Sequence, residues 1–482
     1  MTYSHYKNRG FLTKQTKTFV YIKENQYLCK INKTPKTIIM IFKRKIYNKM
    51  LHWKEEQHGT TALLIRGARR IGKSTIAEEF AKQEYKSYLK IDFSRTSKAV
   101  HQLFEDISNL DFFFTQLQLH FNVTLYPRKS VIIFDEIQLQ PLARQAIKYL
   151  IEDGRYDYIE TGSLLSIKKN IKGILIPSEE THIDMYPLDY EEFRWALGDE
   201  ATIPLLKSVF EKRQSLGDDT NRKLMRDFRL YMLVGGMPQA VNDYLETQNL
   251  NIVDQRKRSI LDLYDQDFYH LDTSGLTSQL FHAIPSQLTG NASRYKVSSV
   301  ITDGRIDRLQ EQIAILKDSM TVNIAYHAND PSAGLAQHIN LDQFKLFCAD
   351  TGLFVTLAFW DDEFTENTIY KKLLSDKLRA DIGYVYENII AQILTASGYK
   401  LYYHTWRAES SNRNYEIDFI LSKEGKISPI EVKSSQSKEH NSIDAFQTKY
   451  SNRINTRYLL HPRDLKKEQD LQCLPMYMSL FL

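Results

Sequence analysis

The chain has 482 residues, 42% of them apolar and 26% charged, the balance of a globular protein of about three domains. Disorder, collagen and small disulfide scaffolds are excluded as whole-chain readings, and no apolar run approaches the ~18 residues that a membrane helix needs. The formal net charge of +5 is uneven: residues 1–39 hold seven Lys and one Arg against Glu24, which leaves −2 for the rest, so the positive balance does not mark the main body as a nucleic-acid binder.

Residues 1–39 are basic, rich in Thr, Asn and Gln, and have no clear period. Two readings stand for them: an extension ahead of a working chain that starts at Met40, or a basic arm. A helix is expected over 40–56. From 60 to about 190, apolar runs alternate with helical patterns. The expected strands are 61–67, 88–94, 130–137, 156–164 and 181–188. Helices are expected over 74–85, 97–120 and 141–153, the last opened by Pro141. The unbroken run Val131-Ile-Ile-Phe suits a parallel strand buried on both faces. This order predicts an open parallel sheet with helices on both sides.

Residues 189–275 read as helical, with a Gly235-Gly236-Met237-Pro238 turn between two helices. A short helix over 294–301 and a second over 305–316 are expected next. In the second, Ile306, Leu309, Ile313 and Leu316 share one face. Strands over 321–327 and 344–350 complete the order of a winged helix. From about 380 the pattern is α+β: a helix over 382–396, strands near 400–405, 415–422 and 428–434, a helix near 442–450 and a strand over 457–461. The fold class is therefore α/β and multidomain. The expected boundaries are a basic extension 1–39, a parallel-sheet domain 40–195, a helical lid-like region 196–290, a winged-helix-like module 291–355 and an α+β domain 356–482. Cys29, Cys348 and Cys473 are far apart, and neither CxxC nor HExxH occurs. A reducing, cytoplasmic setting without structural zinc follows as an expectation.

Gly67-Ala68-Arg69-Arg70-Ile71-Gly72-Lys73-Ser74 matches G-x-x-x-x-G-K-S/T between a strand and a helix, with Thr75 next. Glycines let the backbone wrap phosphates, and the N–H groups and helix start supply positive potential. Lys73 is expected to reach the β- and γ-phosphates of ATP, and Ser74 to ligate Mg²⁺. Asp135 and Glu136 end the buried strand. Asp135 is the second Mg²⁺ residue and Glu136 the group that orients the attacking water. Thr161, with Ser163 as the alternative, is a candidate contact to the γ-phosphate or water. Arg144 and Arg155 are weak candidates for an arginine finger, and surface pairing is the commoner role of each.

These motifs, with the MYPLDYEEF stretch and GGMPQAV, resemble a group of prokaryotic AAA+ superfamily ATPases over roughly residues 40–482. Members of that group typically carry a C-terminal domain of unknown function similar to the PD-(D/E)xK nuclease fold. The resemblance implies an ATPase sheet, a winged-helix module and a restriction-endonuclease-like end.

Glu416-Ile417-Asp418 and Glu431-Val432-Lys433 lie on two expected strands joined by a short connection. Glu431 and Lys433 share a face, since side chains alternate along a strand. Glu387 falls on the apolar side of its helix with Ile390, Ala391 and Leu394, where a carboxylate needs a partner. Asp418, Glu431 and Glu387 around Mg²⁺ supply one, with Lys433 steadying the water or the charged transition state. This is the D…ExK pattern of PD-(D/E)xK nucleases, without a Pro-Asp pair, and Gln447 and Tyr450 resemble an accessory QxxY motif. Lys423, Lys426, Lys433 and Lys438 are further candidate phosphate contacts. So are Arg305, Arg308 and Gln312, beside the opposing Asp307 and Glu311.

Two functions follow. One is an ATPase coupled to Mg²⁺-dependent cleavage of nucleic acid, with DNA as substrate. The other is an ATP-dependent switch whose nuclease-like domain is idle and holds DNA or a protein partner. The expected partners are ATP and DNA or a protein, with no membrane contact and with oligomerisation open.

Overall fold

The computed structural model describes residues 40–162, 177–289, 293–301, 304–331, 335–360, 371, 373–374, 383–408, 414–423, 425–434, 440–468 and 470–482. Expectations for residues 1–39, Ser163, Lys438 and the side chains of Asp307 and Lys423 lie outside the described residues. The account below concerns the unit Phe42–Leu482.

Five strands form a parallel sheet: β1 (Ala62–Arg66), β2 (Ser87–Asp92), β3 (Ser130–Asp135), β4 (Asp157–Gly162) and β5 (Glu180–Asp184), in the order β2-β3-β4-β1-β5. Every residue of β3 and β4 is buried, as strands covered on both faces must be. Ile76, Ala77 and Phe80 of helix Lys73–Glu84 cover one face, and Phe113, Leu117, Ile147 and Leu150 cover the other. The single helix expected over 97–120 is two, Lys98–Leu103 and Leu110–Phe121. Each has its own start, because the Ser97 and Asn109 side chains accept from the Val100 and Phe112 N–H groups.

Helices Tyr190–Ala196, Thr202–Lys212, Asp218–Val234, Pro238–Thr247, Leu250–Leu271 and Leu276–His282 follow. The winged-helix expectation then fails in two places. Residues 294–301 hold only a single 3-10 turn, Val297–Ser299, and the second helix begins late, as a 3-10 turn Ile306–Arg308 before helix Gln310–Asp318. The hairpin of β6 (Val322–Ala328) and β7 (Ile339–Cys348) is antiparallel as expected. However, β6 also pairs in parallel with β8 (Leu401–Arg407), which pairs with β9 (Asn414–Ile417). The sheet order is β7-β6-β8-β9, so one sheet spans the boundary expected at 355/356. The reason is edge chemistry: a free β6 edge would leave its backbone groups unpaired, and β8 satisfies them. Strands β10 (Phe419–Lys423), β11 (Lys426–Val432), β12 (Arg457–His461), β13 (Lys466–Glu468) and β14 (Leu471–Pro475) form a mixed sheet in the order β10-β11-β12-β14-β13. Among the described residues no helix is long and apolar enough to cross a membrane.

The GGMP turn lies where these parts meet. Leu188 N donates to Gly236 O at 2.7 Å, and Gly236 N donates to Asp350 Oδ2 at 2.6 Å. A Cβ on Gly236 would stand 2.1 Å from the Leu188 carbonyl oxygen, and one on Gly352 would stand 2.6 Å from Gly235 Cα. Lys257, fully buried, donates to Leu233 O at 2.8 Å and to Gly352 O at 3.1 Å. Burial lowers its ammonium to about 8, with Asp254 and Asp350 opposing. Gly236→Ala should therefore cost about 3 kcal/mol or more, because the clash is with backbone. Gly198→Ala, whose Cβ meets nothing within 4 Å, should cost only the ~1 kcal/mol of a positive φ. Urea unfolding of both variants checks this, and equal losses would contradict the packing account.

Candidate functional site

Residues Gly67 to Gly72 connect β1 to helix Lys73–Glu84. A Cβ on Gly67 would stand 2.4 Å from the Met185 carbonyl oxygen, and Gly72 sits at φ +95°. Glycine is the residue that fits both places. From behind, buried Arg44 donates to Ile71 O at 3.0 Å and to Tyr186 O at 2.6 Å, and pairs with Glu192 at 3.1 Å. This fixes the floor of the loop. The buried Lys73 ammonium donates to Gly67 O at 3.0 Å and Ala68 O at 2.9 Å. Burial lowers it to about 8, with Glu136 and Asp135 pulling upward. Two neutral carbonyls are weak company for an ammonium, so an entering phosphate offers it a stronger partner.

Asp135, at the end of β3, collects three donors. Its Oδ1 accepts from Ser74 Oγ at 2.6 Å and from Thr161 Oγ1, and its Oδ2 lies 3.3 Å from Lys90 Nζ. Thr161 is fully buried, and its hydroxyl also accepts from Glu136 N at 3.3 Å. It therefore braces the acidic pair. Glu136 has φ +56°, which turns it off the strand, and its carboxylate accepts from Gln138 Nε2. The Ser74 hydroxyl beside the Asp135 carboxylate is a set of hard oxygen donors, so these residues fit Mg²⁺.

Neither arginine-finger candidate is free. Arg144 makes two 2.8 Å bonds to Glu180, and Arg155 is paired with Asp153 and Asp111. Sequence reasoning missed Lys90, although a lysine inside the apolar run of β2 was a visible signal. It also missed Asp267, from helix Leu250–Leu271, which bonds Arg69 of the loop at 2.7 Å. No local signal ties two residues so far apart in the chain.

The carboxylate–lysine cluster departs from expectation. Strands β10 and β11 do pair antiparallel, with Phe419 opposite Ile430, and Val432 N donates to Asp418 Oδ2 at 2.7 Å. Glu431 is buried against helix Asn441–Tyr450, where it accepts from Ile443 N at 3.3 Å and pairs with Lys433 at 2.7 Å. Asp418 sits at the break between β9 and β10, in the field of Glu387, Glu416 and Lys345. Lys345, from β7, is buried, with its ammonium 3.3 Å from Glu387 Oε2 and ion-paired with Glu416. These carboxylates hold it charged against the effect of burial. Burial and the Glu387 and Glu416 carboxylates push Asp418 well above the ordinary carboxylate range, with Lys345 opposing. Among the described residues no three His, Cys, Asp or Glu side chains stand together as a metal-binding group. Of the set expected for Mg²⁺, Asp418 and Glu387 lie in one another's field, and Glu431 pairs with Lys433. Asp418 thus feels Lys345 of β7 while it bonds to β11, and Glu431 bonds to the helix.

Of the other candidates, Tyr450 OH shares a hydrogen bond with His404 Nε2 at 3.2 Å, and Gln447 is half-buried one turn before it. Arg305 and Arg308 are exposed beside exposed Glu311, Gln312 is half-buried, and Lys426 is exposed.

Three family models each match part of the chain. They are an AAA domain over residues 59–194, a domain of unknown function (DUF8612) over 225–363 and a domain of unknown function (DUF4143) over 382–478. No curated protein matches. Similar solved structures include the Walker-type ATPase PABY2304 of Pyrococcus abyssi, at 16% identity and TM-score 0.39, covering 66% of this chain and 96% of that one. Another is the Thermotoga maritima RuvB Holliday junction branch migration motor, at 13% identity and TM-score 0.27, covering 60% of this chain and 91% of that one. Residues 59–194 are a P-loop ATPase domain of the AAA type.

Proposed function

We propose that the chain is an ATP-hydrolysing switch whose C-terminal half holds a partner without cutting it, and that the partner is DNA. One observation carries this reading. Lys345 supplies, from within the fold, the positive charge that the Asp418 cluster would otherwise take from a metal ion. Exposed Arg305, Arg308 and Lys426 are the proposed phosphate contacts. A restriction-endonuclease-like ancestry remains part of the proposal, supported by the antiparallel pairing of β10 with β11.

In the ATPase step, Lys73 leaves the Gly67 and Ala68 carbonyls for the β- and γ-phosphates. Residues 67–72 lend backbone N–H groups, and Thr75 lies on the first turn of the helix behind them. Ser74 and Asp135 are the residues that would hold Mg²⁺, which when bound neutralises phosphate charge. Glu136 orients the attacking water and accepts its proton. Thr161 and Lys90 keep Asp135 in place.

A second reading is Mg²⁺-dependent phosphodiester cleavage by Asp418, Glu431, Lys433 and Glu387. The backbone favours it in one respect, since Asp418 does bond to the N–H of the residue between Glu431 and Lys433.

Lys73→Ala should reduce ATP turnover on the order of 10²-fold or more, because the phosphate charge is left unmatched. Glu136→Gln should still bind ATP and hydrolyse it 10²–10⁴-fold more slowly, as expected for a lost general base, with roughly that range set by its usual contribution. Steady-state turnover beside ATP binding checks both, and wild-type rates would remove these roles. In a cleavage assay with single- and double-stranded DNA, Mg²⁺ or Mn²⁺, and with or without ATP, the wild-type chain should retain DNA and leave it intact. Cleavage that disappears in Asp418→Ala would establish the second reading instead.

A further inference from the structure

Arg69 joins the phosphate loop to the helical region. Its guanidinium is 2.7 Å from Asp267 on helix Leu250–Leu271, and one turn earlier Tyr264 OH donates to the Arg69 carbonyl at 3.2 Å. The backbone of Arg69 is thereby anchored while its side chain stays at the surface, 45% exposed against 36% for Asp267. Both charges lie in the field of the phosphate site: Lys73 feels Arg69 and Asp267 as well as Glu136 and Asp135. The Asp267 carboxyl is raised above its ordinary range, by burial first and by Glu136, with Arg69 opposing. A carboxylate at this place repels a triphosphate, whereas a guanidinium matches one in charge and in fork geometry.

We propose that Arg69 and Asp267 form an exchangeable sensor of the γ-phosphate: ATP draws Arg69 away from Asp267, and loss of that tie loosens helix Leu250–Leu271 against the loop, with the Tyr264 bond to the Arg69 carbonyl as the pivot that remains. The inference rests on the ATP reading of the loop and adds its regulation. A single half-exposed carboxylate is a weak partner for arginine, and a phosphate held by the loop is a stronger one, so the exchange runs toward the nucleotide. The far side of the same helix is bonded to the C-terminal half. Asp254 Oδ1 accepts from Thr356 Oγ1 at 2.6 Å, Lys257 reaches Gly352 O at 3.1 Å, and Arg258 Nη1 reaches Trp360 O at 3.1 Å. Release at Asp267 is therefore felt along helix Thr351–Ala358.

The test is titration of the full chain with fluorescently labelled ATP and ADP in the presence of Mg²⁺. It compares wild type, Asp267→Asn, Arg69→Gln and Lys73→Ala. Arg69 is exposed and Asp267 half-buried, and matching thermal melts identify folded variants. Asp267→Asn should bind ATP about fivefold more tightly, the ~1 kcal/mol held by such a half-exposed pair, and should leave ADP unchanged. Arg69→Gln should lower the preference for ATP over ADP by about tenfold, as loss of a charge-assisted phosphate contact would. An unchanged ATP-to-ADP ratio in both variants, with binding lost in Lys73→Ala, would overturn the sensor alone. Absence of nucleotide binding by the wild-type chain would overturn the phosphate-site reading and the sensor with it.

Discussion

The Gly235-Gly236 turn is the constraint on which the arrangement depends. It passes between the Leu188 carbonyl and the Asp350–Gly352 backbone with no room for a side chain. Buried Asp350 accepts from Gly236 N and from Leu353 N, and so caps helix Thr351–Ala358 while holding the turn. Tyr231 OH donates to Leu188 O at 2.7 Å and in turn accepts from Gln392, whose side chain also receives Thr351 N. Each of these polar groups is satisfied by another part of the chain, so the parts are fixed to one another as well as packed together. On its other side the turn runs into Met237 and Pro238, and Pro238 Cγ would lie 3.8 Å from a Cβ on Gly72. The wall of the phosphate loop and the ceiling of the C-terminal half are thus the same short segment.

This joins two charged centres of opposite design. In the loop, positive charge is left poorly satisfied: Lys73 rests on carbonyls and Arg69 on one half-exposed carboxylate. Both are ready to accept a polyanion. At the other centre the excess is negative, since the one ammonium of Lys345 faces Glu387, Glu416 and Asp418. Strand β7 carries Lys345 toward Asp350, so the second centre is built on the segment that locks the turn. A buried ion cluster of this kind adds little net stability, but removal of one member leaves uncompensated charge.

Much of the ATPase half was legible in the sequence because its signals are local. The glycine spacing, Lys73-Ser74, the buried run ending in Asp135-Glu136 and the alternation of strands with helices all lie within short windows. Strand Arg457–His461 and helix Pro141–Asp153 fall where their patterns put them. The errors are non-local. The β6–β7 hairpin read as a wing because its pairing with β8 depends on residues far along the chain. The stretch 415–422 read as one strand, yet the break at Asp418 decides which acids meet. Period-two alternation put Glu431 and Lys433 on one side, and they do pair. It carried no information on Lys345, which comes from another strand and changes the chemistry of the cluster. The Arg69–Asp267 tie was invisible for the same reason.

The central claim is that ATP acts beyond its own domain through the Arg69–Asp267 tie and helix Leu250–Leu271. Amide hydrogen exchange on the full chain, with and without ATP and Mg²⁺, tests it most directly. The account predicts altered protection in residues 59–94, in helix Leu250–Leu271 and in 345–358. Changes confined to residues 59–194, with helix Leu250–Leu271 and β7 unmoved, would contradict it.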